Sequence, residues 1–261
     1  MAEEKQEEAI LTERRGPVLL IRINRPKAKN SFNPAAAAQM EAALDAYEED
    51  PELAVAVITG NEEIFSSGQD LKAAARGERS VGKKRGGFGI MARPPMKPLI
   101  AAIEGPALAG GFEVALSCDL IVASRSSVFG LPEGKRSRVA VGGGCFRLPN
   151  RLPYPLAMEL ILTGDPLPAE RLYQAGLVNA LAEPGKALDA AMELAERIGK
   201  NGPLAVRASK EIGWRAKHEG WQDQEGWKKQ MEMARPVFKS EDFREGLVAF
   251  AEKRDPVWKG R

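Results

Sequence analysis

Apolar positions follow two rhythms along this chain. In the first half they form short unbroken runs: "GPVLLIRIN" (16–24), "LAVAVITG" (53–60) and "KPLIAAIEG" (97–105). Runs of that length, without polar alternation, predict buried strands. The first stops at Arg25-Pro26, because the residue before a proline is pushed out of the helical region and the proline closes the strand. Between the runs, Asn33-Pro34 opens a predicted helix, with Asn as N-cap and Pro in the first turn, through "AAAAQMEAALDAYEED". "NEEIFSSGQDLKAAA" predicts a loop and a short helix, "GGFEVALSCD" (110–119) a helix, and "LIVAS" and "SVFG" two further strands. From about 142 the rhythm turns helical, with segments separated by Pro and Gly stops. From 203 onward three amphipathic helices are expected, each with an apolar stripe.

The strand–strand–helix order of the first two thirds and the all-helical last quarter predict an α/β fold. Residues 1–200 would form the core and 201–261 a helical module, joined near "KNGP". Residues 76–95, "RGERSVGKKRGGFGIMARPP", lack either rhythm and read as a mobile surface segment.

Composition narrows the chemistry. The 261 residues suffice for a sizeable core, at 44% hydrophobic and 28% charged. The balance of 38 basic to 36 acidic residues argues against a broad nucleic-acid footprint. No apolar run reaches the ~18–20 residues of a membrane span. The opening "MAEEKQEEAILTERR" is acidic without an apolar core, so no secretory signal is expected and a cytoplasmic location is. Cys118 and Cys145, without CxxC spacing, read as small core residues rather than zinc ligands or a disulfide. His218, the single histidine, falls in a charged helical stretch, and no G-x-S-x-G elbow accompanies it. Proton transfer would therefore fall to carboxylates.

Two stretches are built to present backbone N–H groups. In "FSSGQDL" (65–71) the Ser67-Gly68-Gln69 turn follows a buried strand and precedes a helix. In "ALAGGFE" (107–113) glycines open a helix whose first N–H groups lack intrahelical partners. Two such groups converging on one point would bind a carbonyl oxygen and favour it as it turns negative. Glu113 lies on that helix's first turn, and "SSVFGLPEGK" (126–135) offers a second carboxylate, Glu133, twenty residues on. A facing pair can activate water and deliver a proton, and mutual repulsion would split their pKa values.

"INRPKAKNSFN", "FSSGQDL", "KPLIAAIEGPALAGGFEVALSCDLIVAS", "FGLPEGK" and "EGLVAFAEKRDPVWKGR" together resemble the enoyl-CoA hydratase/isomerase (crotonase) family, in its order and spacing, from about residue 16 to the end. The resemblance implies a crotonase-type spiral of ββα turns followed by a C-terminal helical trimerisation module, in a homotrimer or dimer of trimers. It implies acyl-CoA thioester substrates and no cofactor, coenzyme A being part of the substrate. By match, the oxyanion donors are the N–H groups of Gln69 and Gly110. Possession of both glutamates favours hydration of a trans-2-enoyl-CoA, with Glu113 activating water and Glu133 exchanging the proton at the α-carbon. An enoyl-CoA isomerase is the alternative inside the family, and an acyl-CoA-binding scaffold the alternative outside catalysis.

The same match gives coenzyme A to the backbone near Ala28, Lys29 and Ser67 and to the side chains of Lys27 and Lys72. Phe250 and Lys253 would come from a neighbouring subunit. The chain departs from the family after the second glutamate. Ser137, Ala140 and Val141 stand where its hydratases usually carry glycine and proline, and Gln69 replaces a small residue beside the oxyanion hole. "GGGC" (142–145) reads as a tight helix-opening turn, and the basic residues 83–85 as a border to the phosphates or a solvated loop.

Overall fold

The computed structural model describes residues 8–261, so the opening stretch read as lacking a secretory signal lies partly outside the described residues. Its centre is a six-stranded sheet in the order β1 (Ile10–Arg15), β2 (Val18–Ile23), β3 (Val55–Thr59), β6 (Leu99–Ile103), β8 (Leu120–Ser124) and β11 (Ala180–Ala182). Only the β1–β2 pair is antiparallel; the rest is parallel, in register Ile58 with Ala101 and Ala102 with Val122. The unbroken apolar runs follow from coverage on both faces. Leu19, Ile21, Ala56, Ile58, Leu99 and Ala101 point to one core, shared with Met40, Leu44 and Tyr47 of α1 (Pro34–Glu49). The alternate residues Val18, Leu20, Val55, Val57, Ile100 and Ala102 meet Ala191 and Ala195 of α7 (Ala187–Gly199) on the other face. Alternation exists, but both registers are apolar.

A second sheet of β7 (Pro106–Leu108), β9 (Val128–Gly130) and β10 (Leu167–Pro168) stands beside the first. The chain crosses between sheets at β6–β7 and β8–β9, with α3 (Gly110–Leu116) after β7, so the expected strand–strand–helix spiral is present. Asn33 caps α1 as predicted, its side chain accepting the Ala36 N–H at 2.8 Å.

Three sequence expectations need correction. β1 was not foreseen because "ILTERR" is an exposed edge strand whose polar residues face solvent. β10 and β11 interrupt the stretch after 142 read as wholly helical; strands of two and three residues are too short to show a period. Residues 76–95 are not a free surface loop. They form the hairpin β4 (Val81–Gly82) and β5 (Gly86–Gly87), preceded by α2 (Leu71–Ala75) and docked on α1. Glu41 of α1 accepts the N–H groups of Lys83, Lys84 and Arg85 at 2.7–2.9 Å. The Arg85 side chain, 3% exposed, bonds Asp45 at 2.7 Å and Glu48 at 2.6 Å. The basic residues read as a possible phosphate border are therefore tied to protein carboxylates.

The chain continues through α4 (Gly144–Arg151), α5 (Tyr154–Thr163) and α6 (Ala169–Gln174) to the final α8 (Pro203–His218), α9 (Asp223–Phe238) and α10 (Glu241–Glu252). α8 and α9 bury no residue within the chain. Lys210 of α8 is bound to the core by the carbonyls of Pro95 and Lys97, both at 2.8 Å, and by Asp119 at 2.6 Å. No described helix is long and apolar enough to cross a membrane.

Candidate active site

A cavity of about 1080 Å³ opens where the loops after β2, β3, β7 and β9 meet. Its floor is held together by backbone. Ser66 pairs with Ala107 as a bridge, and its buried hydroxyl donates to the Asn30 carbonyl at 2.8 Å and accepts the Gly68 N–H at 3.1 Å. Phe32 bonds both neighbours of Gln69: its N–H donates to the Gly68 carbonyl at 2.8 Å, and its carbonyl accepts the Asp70 N–H at 2.9 Å. The N–H of Gln69 itself therefore turns to the opposite side, and Gln69 lines the cavity.

Gly110 supplies the second N–H. It is the first residue of α3, and the Pro106 carbonyl one turn back is already taken by the N–H groups of Phe65 and Ser66 at 3.1 and 3.4 Å. Ala109 aims it by adopting φ 52° and ψ −131°, a conformation that costs an alanine on the order of 1–3 kcal/mol. Gly68, at φ +90°, allows the two loops to touch: a Cβ there would lie 2.7 Å from the Gly110 nitrogen. The two amides can hold one carbonyl oxygen and favour it as charge develops.

Two carboxyls complete the cavity, and their surroundings differ. Glu113, on α3, is 4% exposed and accepts the Gly144 N–H at 2.9 Å. Burial pushes its pKa up, while the amides of Gly144 and Gly142 and the charge of Arg147 act the other way. Gly142 fits against it so closely that a Cβ would sit 2.6 Å from Oε2. The "GGGC" segment is the helix-opening turn expected, with Gly143 at φ +113° before α4, and it also cradles Glu113. Glu133 lies on a short 3₁₀ turn, Pro132–Arg136, and its buried Oε2 has no hydrogen-bond partner. Burial and the charge of Glu113 raise its pKa; its own backbone and Arg138 oppose that.

The family model described as enoyl-CoA hydratase/isomerase matches residues 13–261. The chain belongs to the enoyl-CoA hydratase/isomerase family. Its fold resembles a crystal structure of an enoyl-CoA hydratase from Mycobacterium tuberculosis H37Rv, with TM-score 0.94 and 55% identity over 98% of this chain and 100% of that one. It also resembles a carnitinyl-CoA hydratase from Mycobacterium avium, with TM-score 0.78 and 42% identity over 98% and 100% of the two chains. A carnitinyl-CoA dehydratase of Salmonella paratyphi A is 42% identical over 97% of this chain and 99% of its own length. The spiral fold and the acyl-CoA thioester as substrate class are those of the family.

Within this family member, the residues expected around coenzyme A divide into two groups. Lys27, Ala28, Lys29, Ser67 and Lys72 all line the cavity. Phe250 and Lys253 do not: Phe250 is 87% exposed on α10, and Lys253 ends that helix at φ 54°. His218 is exposed and stacks on Trp214, as expected, and Cys118 is a buried core residue. Cys145 is exposed on α4, a correction to its reading as core. Val141 is 86% exposed and lines the cavity, whereas Ala140 is buried.

Sequence reasoning missed four contributors. Phe88, stacked on Phe32 at 4.5 Å, and Met91 bring the 76–95 segment into the cavity wall. Arg147 donates to Ser117 Oγ at 2.8 Å, to the Gly142 carbonyl at 3.3 Å and to the Met91 carbonyl at 2.6 Å, pinning the turn that holds Glu113. Arg138 donates to Gln69 Oε1 at 2.6 Å across the cavity. One available signal was the run Glu41, Asp45 and Glu48, an acidic face at helical spacing that matches the basic 83–85.

Proposed function

We propose that the protein is an enoyl-CoA hydratase, a lyase adding water reversibly across a trans-2-enoyl-CoA to give the 3-hydroxyacyl-CoA. The observation that carries this reading is the unequal service of two carboxyls, buried Glu113 and half-buried Glu133, beside a pair of N–H groups at one cavity. An amide donating to Glu113 favours its ionised form, and an Oε2 without a partner favours protonated Glu133. Ionised Glu113 takes a proton from water as the oxygen bonds to the β-carbon. The π electrons shift toward the thioester oxygen, held by the N–H groups of Gln69 and Gly110, and Glu133 donates its proton to the α-carbon. A proton then passes from Glu113 to Glu133 through water, restoring the pair, so water is consumed and the carboxyls are unchanged. No metal or redox group takes part in these steps.

Coenzyme A would lie along Lys27, Ala28, Lys29, Ser67 and Lys72. The exposed apolar residues of α8–α10, among them Trp214, Trp227, Leu247 and Phe250, support assembly as a homotrimer or dimer of trimers. In it Phe250 and Lys253 would reach a neighbour's coenzyme A, with residues 201–261 as the assembling module. We place the enzyme in the cytoplasm on the same footing.

The test is turnover of crotonyl-CoA, followed by loss of the conjugated enoyl-thioester absorbance in water enriched in oxygen-18. Hydration with label in the product, reduced at least ~10²-fold in both Glu113→Gln and Glu133→Gln, is expected. Bond migration without label would identify an isomerase instead.

A further inference from the structure

The relatives carry two names, enoyl-CoA and carnitinyl-CoA, which differ in the charge of the acyl group: a carnitinyl group bears a quaternary ammonium. A site for such a cation offers spare carboxylates or open aromatic faces. This cavity has no carboxylate to spare, and its one exposed ring, Phe146, already carries a cation on one face. Of its three carboxyls, Asp70 is held by Arg25 at 3.1 Å, and Glu113 and Glu133 are the proposed proton-transfer pair. Its aromatic rings are Phe88, already stacked on Phe32, and Phe146, already under the Arg147 guanidinium at 5.4 Å.

Arg138 supplies the opposite character. Its N–H donates to the Glu133 carbonyl at 3.0 Å, closing the turn that carries that carboxyl, and Ser137 at φ 50° makes the turn possible. Its guanidinium crosses to Gln69 Oε1 at 2.6 Å, the side chain of the residue whose N–H faces the cavity. Among the described residues no carboxylate lies within ion-pair distance of it, so most of its five donors have no protein partner. The side chain that replaces a small residue at Gln69 is thus the anchor that stations a positive charge between the oxyanion site and the second carboxyl.

Resting on the hydratase reading, we propose that Arg138 is a specificity-determining residue. It makes the acyl cavity reject acyl groups with a fixed positive charge and accept uncharged or carboxylate-bearing 2-enoyl-CoA thioesters. Gln69 positions it. A fixed cation about 6 Å from this exposed guanidinium would meet a like charge, enough for roughly 100-fold discrimination at an effective dielectric of about 20, a value for charge pairs near a protein surface.

Two probes of one shape isolate charge: 2-enoyl-CoA thioesters whose γ-carbon carries a trimethylammonium or an isosteric tert-butyl group. The wild type is expected to prefer the tert-butyl compound in kcat/KM by about 100-fold. Arg138→Gln should reduce the ratio to about threefold or less, and Arg138→Lys should keep most of it. A ratio near one in the wild type, or one unchanged in Arg138→Gln, overturns the proposal. Calorimetric binding of the saturated analogues reads the same preference without turnover. Absence of turnover with the binding preference intact defeats the hydratase reading alone, and equal binding of the two analogues defeats charge selection.

Discussion

The two walls of the cavity are built on opposite principles. On the α3 side Glu113 is enclosed: buried in the core face, bonded by Gly144, backed by Gly142, with Arg147 pinning the surrounding backbone to Ser117 and Met91. On the other side Glu133 sits on one 3₁₀ turn, with an unpartnered Oε2 and, nearby, the exposed Arg138 hung from Gln69. Burial raises both pKa values; against it Glu113 has the amides of Gly144 and Gly142 and the charge of Arg147, whereas Glu133 has only its own backbone and the charge of Arg138. A pair that must hold one proton between them needs that inequality. Two equally served carboxylates would leave the order of proton transfer undetermined.

The strongest way to break the arrangement is at the N–H pair proposed to hold the substrate carbonyl. Gly68→Ala places a Cβ at φ +90° and 2.7 Å from the Gly110 nitrogen, separating the two N–H groups. Loss of about 10²–10³-fold in kcat is expected for crotonyl-CoA, with coenzyme A affinity measured separately to show that the cavity persists. Gly142→Ala attacks the enclosed wall alone. Its Cβ would displace Glu113 Oε2, and a fall in kcat of about 10–10²-fold is expected with smaller change in KM.

A pH profile sharpens the comparison without a mutation. Burial pushes both carboxyls above the usual glutamate range, and in the proposed mechanism ionised Glu113 is the base. Below its raised pKa the base is protonated, so kcat/KM should fall as the pH drops through values above the ~4.3 of an ordinary glutamate. A limb at or below that ordinary value would remove burial as the dominant influence. The smallest effect is expected at Arg147→Lys. An ammonium cannot reproduce contacts to Ser117, Gly142 and Met91 together, and a loss of about three- to tenfold in kcat, with a shifted acid limb, would mark it as a positioning residue.

The same contrast explains what could be read from sequence. The enclosed wall is written in local signals: two glycines, a glutamate on the next turn, and apolar runs buried on both faces. Gln69, Gly110, Glu113 and Glu133 all reach one cavity, as their motifs imply. What escaped depends on partners distant in the chain. Arg85 looks like a loop charge until Asp45 and Glu48 of α1 are brought against it. Ala109 takes its strained φ where β7 turns into α3, with its N–H held by the Gly130 carbonyl at 2.9 Å, and nothing in an alanine announces it. Arg138 has meaning only across the cavity from Gln69, 69 residues away. The apolar stripes of the last three helices were legible, and they leave Trp214, Trp227, Leu247 and Phe250 exposed, the surface that the proposed assembly would cover.

The inequality of the two carboxyls is open to direct observation. With carbon-13 in the glutamate carboxyls, assigned through the two Gln variants, both groups can be titrated in the intact protein. Glu113 should ionise at the lower pH, leaving Glu133 protonated as the pair enters the neutral range. Glu133 ionising first would reverse base and acid and contradict the mechanism.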